Sequence, residues 1–269
     1  MDTSRAPADH APREFRDADL SGARFVDTDL TGAVLRGVDV DGMEVDSPWL
    51  LEGGATLVVN GVDVAPLVEA ELNRRFPGRE TRRAADPQGL REAWEVLQGT
   101  WVATVARASA MPEGAVEQSV AGEWSFAQTL RHLVLATDLW LGHTVIGTER
   151  PFHPLGLANP RAGDEGLDMS VFTTDTPTFA AVLEARAGRV ALVRDFIADV
   201  TAEQLAQPRT NPWSPDHPET VLSCLHTILE EEWEHHRYAV RDLDALATLD
   251  AVDTASTDVE NGLVAPSMG

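Results

Sequence analysis

In the first part of the chain, large apolar side chains recur at every fifth position. They are Phe15, Leu20, Phe25, Leu30, Leu35, Val40 and Val45, which we call the apolar register. A helix repeats after about 3.6 residues and a strand after about two, so neither element produces this spacing. The pattern therefore predicts a repeat architecture for this segment.

Small residues stand two positions before most members of the apolar register, at Ala18, Ala23, Thr28 and Ala33. This combination resembles the pentapeptide repeats. The resemblance implies a square β-solenoid that stacks large apolar and small residues inside. Such a solenoid takes about four pentapeptides per coil, so the segment completes fewer than two coils and is too short to bury a core alone. We expect it to act as a structural cap or an interaction surface.

The pattern changes after this segment. Asn60-Gly61 joins two β-branched runs and predicts a β-hairpin, and a short helix is expected over residues 67–75. Helical spacing of apolar residues then predicts four long helices, over residues 89–109, 125–147, 177–200 and 219–243, with Ser125 as an N-cap. A long connection separates the second helix from the third, which favours a four-helix bundle.

The predicted fold is mainly α, with four regions along the chain. Residues 1–50 form the pentapeptide-repeat solenoid, 51–87 the hairpin and short helix, 88–246 the four-helix bundle, and 247–269 a tail. We expect the tail to be disordered, because it is acidic, rich in small residues and poor in large apolar ones.

Charge and composition narrow the function classes. The formal net charge is −23, which repels nucleic acid and anionic membrane. No apolar run approaches the roughly 18 residues that span a bilayer, and the N-terminus lacks the apolar core of a signal peptide. The one cysteine, Cys224, excludes an intramolecular disulfide. A cytoplasmic protein is expected, and the exclusive use of Arg over Lys suggests bacterial origin.

The candidate chemistry lies in the last predicted helix. Its apolar stripe is Leu222, Leu225, Leu229, Glu232, His236, Ala239 and Leu243, so a carboxylate and an imidazole interrupt it. Side chains four residues apart on a helix lie on the same face and can bind one cation together. The neighbouring pair, Glu231 and His235, has the same spacing on a more polar face and remains an alternative. The periodicity favours Glu232 and His236, and it also turns His132 of the second helix inward.

Two pieces of the chain, EWSFAQTLRHLVLATD and ETVLSCLHTILEEEWEHHRYAVRDL, resemble signatures of the DinB/YfiT superfamily of metal-binding four-helix bundles. The resemblance covers about residues 90–243. It implies one ligand at His132, after the Trp-Ser start, and two more from a His-x-x-x-His pattern whose second His is followed by Arg. His236-Arg237 matches that second position, which puts Glu232 where the family has a His. The implied metal ligands are His132, Glu232 and His236, with zinc or nickel as the metal.

The superfamily includes thiol S-transferases that use mycothiol or bacillithiol. The resemblance therefore implies a metal-dependent enzyme that transfers a low-molecular-weight thiol to a small-molecule electrophile, with the catalytic residues unassigned. The alternative is a non-catalytic metal- or ligand-binding bundle whose repeat cap acts in protein interaction. A homodimer is one arrangement to test. If Glu232 is not a ligand, a salt bridge to an inward Arg of the third helix would explain its carboxylate.

Overall fold

The computed structural model of the protein describes residues 14–26, 28–51, 54–159 and 162–262. It divides into two compact units, Met1–Asp46 and Ser47–Gly269. The described residues form six α-helices and two small antiparallel hairpins, so the chain is mainly helical, as predicted. Residues 1–13 of the predicted solenoid and 263–269 of the predicted tail lie outside the described part.

In the N-terminal unit the backbone repeats every ten residues, because a tight turn closes every second pentapeptide. The turns have one hydrogen bond in common, from the amide of Ala23 to the carbonyl of Leu20 (3.0 Å), from Ala33 to Leu30 (2.9 Å) and from Met43 to Val40 (3.0 Å). The third residue of each turn is a glycine with φ of 73°, 73° or 71°. A turn with positive φ at that position favours glycine, which explains the recurring Gly in the sequence.

The apolar register of this unit is exposed. Its side chains retain between 48% exposure, at Leu20, and 67%, at Phe15. The repeat pattern predicts these side chains inside a solenoid, whereas the described part of this unit contains neither strands nor a buried core. The length of the segment accounts for the difference, because fewer than two coils leave most turns without a neighbour to cover them.

The hairpin and the short helix are confirmed. Strands β1 (Val58–Val59) and β2 (Val62–Asp63) pair antiparallel across Asn60-Gly61. Both turn residues have positive φ, 50° and 84°, as a two-residue hairpin turn that matches strand twist requires. Helix α1 follows as Ala65–Arg75.

Four longer helices follow, with α5 as one short turn between the last two. The longer helices are α2 (Pro87–Ser109), α3 (Phe126–Thr137), α4 (Phe179–Asp199) and α6 (Val221–Gly262), and the short turn α5 is Ala202–Leu205. Ser125 caps α3 as predicted, because its hydroxyl accepts from the amide of Gln128 and the Gln128 side chain accepts from the Ser125 amide. No helix in the described part of the chain has an apolar stretch long enough to cross a membrane.

The packing of the long helices fixes where a site can form. Helices α2 and α3 each pack against both α4 and α6. Helices α4 and α6 therefore stand at opposite corners and face each other through the core. Large buried side chains from all four fill that core, among them Leu90, Leu97, Leu130, Leu133, Val182, Ile228 and Trp233. A residue on α6 can thus point either to the core centre or to the seam with α3.

Three features differ from the sequence prediction. After α3 the chain continues as a π-helix, Asp138–Val145. The Pro-rich loop before α6 contains a hairpin of β3 (Pro208–Thr210) and β4 (Pro218–Thr220), where Pro residues argue against strands in the sequence. Helix α6 runs to Gly262, through most of the predicted disordered tail. Low hydrophobicity suggested disorder there, but neither Pro nor Gly interrupts the chain between Val221 and Asn261, so the helix can continue.

Candidate metal centre

The site forms at the seam between α3 and α6, where His132 meets Glu231 and His235. The Nε2 atom of His132 lies 3.3 Å from Oε2 of Glu231, and Nδ1 of His235 also lies 3.3 Å from that oxygen. The two imidazole rings stack with centroids 4.7 Å apart. One ligand atom from each of the three residues falls within 4.8 Å of the other two, which identifies a group able to hold a cation.

The hydrogen bond of His132 to the backbone turns its other ring nitrogen toward this gap. Its Nδ1 lies 3.1 Å from the carbonyl oxygen of Leu157, which only accepts hydrogen bonds, so Nδ1 is the donor. In the neutral ring Nε2 then carries a lone pair that faces the Glu231 carboxylate. Two facing lone pairs repel unless a proton or a metal ion lies between them. Two ligand atoms bound to a tetrahedral zinc are about 3.3 Å apart when the bonds are about 2.0–2.1 Å long. The distance between Nε2 of His132 and Oε2 of Glu231 therefore fits a metal.

His235 and Glu231 are also in protonation states that can bind a metal. Nδ1 of His235 lies 2.8 Å from the backbone carbonyl of Glu231 and donates to it, which leaves Nε2 with a lone pair. Burial lowers the pKa of His235 to about 4. Burial opposes ionisation of Glu231, but its interactions with His132 and His235 outweigh burial and lower the pKa of Glu231 to about 2. At neutral pH the group therefore offers a carboxylate and a neutral imidazole.

An aromatic side chain covers the two imidazoles while one edge of the site stays open to solvent. The ring of Trp124, just before α3, lies 4.6 Å from that of His132 and 6.2 Å from that of His235. The side chains of His132 and His235 retain 15% and 14% exposure, and that of Glu231 retains 32%. Solvent or a small ligand can therefore approach from the carboxylate side.

The sequence-predicted ligand set His132, Glu232 and His236 is not brought together. Glu232 is 1% exposed and its carboxylate accepts hydrogen bonds from the Arg186 guanidinium of α4. This is the alternative explanation of the inward carboxylate, a salt bridge to an Arg of the third long helix. In the structure, the pair that lies beside His132 is the alternative one, Glu231 and His235.

His236 is likewise engaged inside the core. Its Nε2 lies 2.8 Å from the hydroxyl of Thr104 on α2, and its ring meets Trp101 edge to face at 5.0 Å. Burial lowers the pKa of His236 to about 4, so the ring is neutral at physiological pH. The prediction that Glu232 and His236 face inward is correct. Their side chains point to the centre of the core, however, and not toward His132.

Because of helical geometry, only one of the two Glu/His pairs of α6 can face His132. A step of one residue turns the side-chain direction by about 100°, because a turn holds about 3.6 residues. When Glu232 points across the core toward α4, Glu231 must point to the seam with α3, where His132 lies. The sequence shows both pairs, whereas the position of α3 relative to α6 selects one.

Two family models match parts of the chain. A family model of the DinB superfamily matches residues 64–239. The chain belongs to the DinB superfamily. A second family model, described as "Pentapeptide repeats (8 copies)", matches residues 14–44. No curated protein and no solved structure matches the chain.

The matched residues include His132 and both Glu/His pairs of α6. In the structure, the pair that lies beside His132 is Glu231 with His235. The sequence did not reveal the stacking of Trp124 or the role of the Leu157 carbonyl. Trp124 was visible as the Trp of the Trp-Ser start, but Leu157 lies in a loop whose path only the folded chain defines.

Four further histidines in the described part of the chain make contacts of their own away from this group. His226 lies 2.9 Å from the carbonyl of Ala84, His217 lies 2.7 Å from the hydroxyl of Ser214, and Nδ1 of His153 accepts from the amide of Leu155. His143 lines an open groove of about 620 Å³ together with Arg209 and Asn211. These contacts connect none of the four to the group formed by His132, Glu231 and His235.

Proposed function

We propose that this protein is a metal-dependent enzyme of the DinB superfamily that transfers a low-molecular-weight thiol to a small electrophile. The observation that carries the proposal is the convergence of His132, Glu231 and His235 at one open-sided site. Two imidazoles and one carboxylate are a ligand set of catalytic zinc enzymes, which keep a further position for water or substrate. We also propose that α2, α3, α4 and α6 constitute the superfamily's four-helix bundle and that residues 14–44 are a short solenoid cap.

Zinc or nickel in this site would hold a bound thiol as thiolate, the reactive form of sulfur, at neutral pH. The residues of the chain orient and shield that centre. The Leu157 carbonyl fixes the ring of His132, the Glu231 backbone fixes that of His235, and Trp124 keeps water from one side. In the proposed reaction the thiol sulfur would form a bond to the electrophilic carbon, the leaving group would depart with its electron pair, and the thiol proton would pass to solvent.

The thiol in this proposal must come from outside the chain. The sequence contains one cysteine, Cys224, which is fully buried in the core. Burial raises the pKa of its thiol to about 12, so it is not a nucleophile at neutral pH. An external thiol is therefore the source of sulfur that the site requires.

The proposal is tested first by metal content. The protein purified without chelator is expected to carry about one divalent metal per chain. It is then screened with low-molecular-weight thiols and model electrophiles, with and without chelator. Thiol consumption that disappears on chelation and returns with zinc or nickel supports the enzyme. Metal at one per chain with no thiol-dependent reaction supports the second candidate described next.

The second candidate is a non-catalytic metal-binding protein in which the repeat unit contacts a partner. It is favoured by the exposed apolar register of residues 14–46, since exposed apolar side chains in a row commonly mark interaction surfaces. A second copy of the chain is the simplest partner to test, by measuring the mass of the protein in solution.

A further inference from the structure

The inference concerns the buried ion pair between Arg186 on α4 and Glu232 on α6, and it rests on the proposed metal site. The pair bridges helices that stand at opposite corners of the core. Both side chains are almost fully buried, with 7% exposure for Arg186 and 1% for Glu232. Neither belongs to the group formed by His132, Glu231 and His235. The question is therefore why a charged pair is kept in the centre of a largely apolar core.

A buried charge is costly unless an opposite charge meets it, and it is much costlier alone. The Glu232 carboxylate meets Nη2 of Arg186 with both of its oxygens. The other terminal nitrogen, Nη1, is buried without a hydrogen-bond partner in the described residues. The guanidinium thus depends on Glu232, and any rotation of α6 that moves this carboxylate leaves two buried charges uncompensated.

The rotation of α6 does not depend on its buried apolar residues alone. Polar residues occupy two positions of its inner stripe, and a Glu/His pair stands on each of two adjacent faces. A rotation by one residue, about 100°, would present Glu232 and His236 to the seam instead of Glu231 and His235. Polar contacts with two helices oppose it, since α4 contacts Glu232 through Arg186 and α2 contacts His236 through Thr104.

We propose that Arg186 and Glu232 are positioning residues for the metal centre. Their ion pair locks the rotation of α6 about its own axis, so that Glu231 and His235 face His132. Buried polar pairs are best known for this kind of role, in which they select one arrangement among several of similar apolar packing.

The test separates positioning from stability by removing both charges together. In the double variant Arg186→Met/Glu232→Met, apolar side chains of similar length replace the pair, which leaves stability unchanged or improved when a buried ion pair is merely structural. We expect the metal-free variant to unfold at the same or higher urea concentration as the parent. Its zinc affinity, measured by competition with a chromophoric chelator, should fall at least tenfold, as changes behind metal ligands commonly cause.

A matched control replaces an exposed ion pair that also includes a residue of α6 with two Met residues. Arg107 of α2 and Asp244 of α6 form an ion pair at 2.7 Å with 40% and 63% exposure. The variant Arg107→Met/Asp244→Met should bind zinc like the parent, because exposed pairs contribute little to helix position. A similar loss of affinity in the control would overturn the proposal, since the effect would not be specific to the buried pair.

The outcomes distinguish this inference from the proposed function. A parent protein that binds no zinc contradicts the metal site itself. A parent that binds zinc with a double variant of equal affinity contradicts the positioning role alone. Should the Met variant not fold, Arg186→Leu/Glu232→Gln asks the same question with another pair of neutral side chains. Failure of both to fold would overturn the proposal as well, because the pair would then be needed for the fold rather than for the rotation of one helix.

Discussion

Helix α6 carries a Glu and a His four residues apart twice, one residue out of phase, and the two faces have different surroundings. Glu231 and His235 lie at a seam with α3, partly open to solvent and next to a third ligand. Glu232 and His236 lie in the core centre, where Arg186 and Thr104 engage them. The same residue types at the same spacing thus form a candidate metal site on one face and a structural polar network on the other.

This comparison extends to all four glutamates of the segment Glu230–Glu234. Each carboxylate meets a different partner: Glu230 meets Arg83 at 2.9 Å, Glu231 meets the two histidines, Glu232 meets Arg186, and Glu234 meets Arg79 at 3.1 Å. The helix distributes them around its circumference, so identical side chains have different exposure and different partners. What each Glu does depends on the helix opposite it, and the predictions below measure that dependence.

The largest expected effect is on stability, from Glu232→Ala. The variant leaves the Arg186 charge buried without its partner, which should lower the free energy of unfolding by about 3–5 kcal/mol. The matched variant Glu231→Ala should cost about 1 kcal/mol or less in the metal-free protein, because that side chain is one-third exposed. Urea denaturation of the two metal-free variants measures the difference. Equal losses would mean that the two faces do not differ as described.

The next effect is on metal affinity, from replacing either histidine of α6. We expect His235→Ala to weaken zinc binding at least about 100-fold, or about 2.7 kcal/mol, because it removes a ligand. His236→Ala removes a side chain bonded to Thr104 and should keep zinc affinity within about threefold of the parent. Chelator competition gives both constants. The opposite ranking would restore the register that periodicity favours.

Zinc itself should stabilise the parent. At a free concentration ten times the dissociation constant, a ligand that binds only the folded state adds about 1.4 kcal/mol to the free energy of unfolding. Thermal unfolding with and without zinc measures this shift. His132→Ala serves as the control and should show no such shift. An equal shift in that variant would place the metal elsewhere on the chain.

The smallest effect is expected for Glu230→Ala. Its partner Arg83 is 43% exposed, and exposed ion pairs contribute about 0–1 kcal/mol. Zinc affinity should not change, because Glu230 lies on a third face of the helix. A loss of affinity comparable to that of Glu231→Ala would contradict the division of the segment into separate faces.

Several elements could be predicted because their signals are local. The Asn60-Gly61 hairpin, the Ser125 cap and the long helices depend on backbone preferences and on apolar spacing within one segment. The β3–β4 hairpin and the π-helix could not be predicted in this way. The hairpin contains Pro residues that disfavour strands, and part of its support comes from outside the segment, where Arg209 donates to the Val145 carbonyl at the end of the π-helix.

The sequence by itself determined that α6 turns a carboxylate and an imidazole inward, since a 3.6-residue period relates Glu232 and His236 to the apolar stripe. It also contained both candidate ligand pairs and His132. Only the tertiary structure decided which pair meets His132, because that depends on α3 standing at the seam and α4 standing across the core. Periodicity measures direction relative to the helix axis, whereas a metal site requires side chains of separate helices to converge on one point.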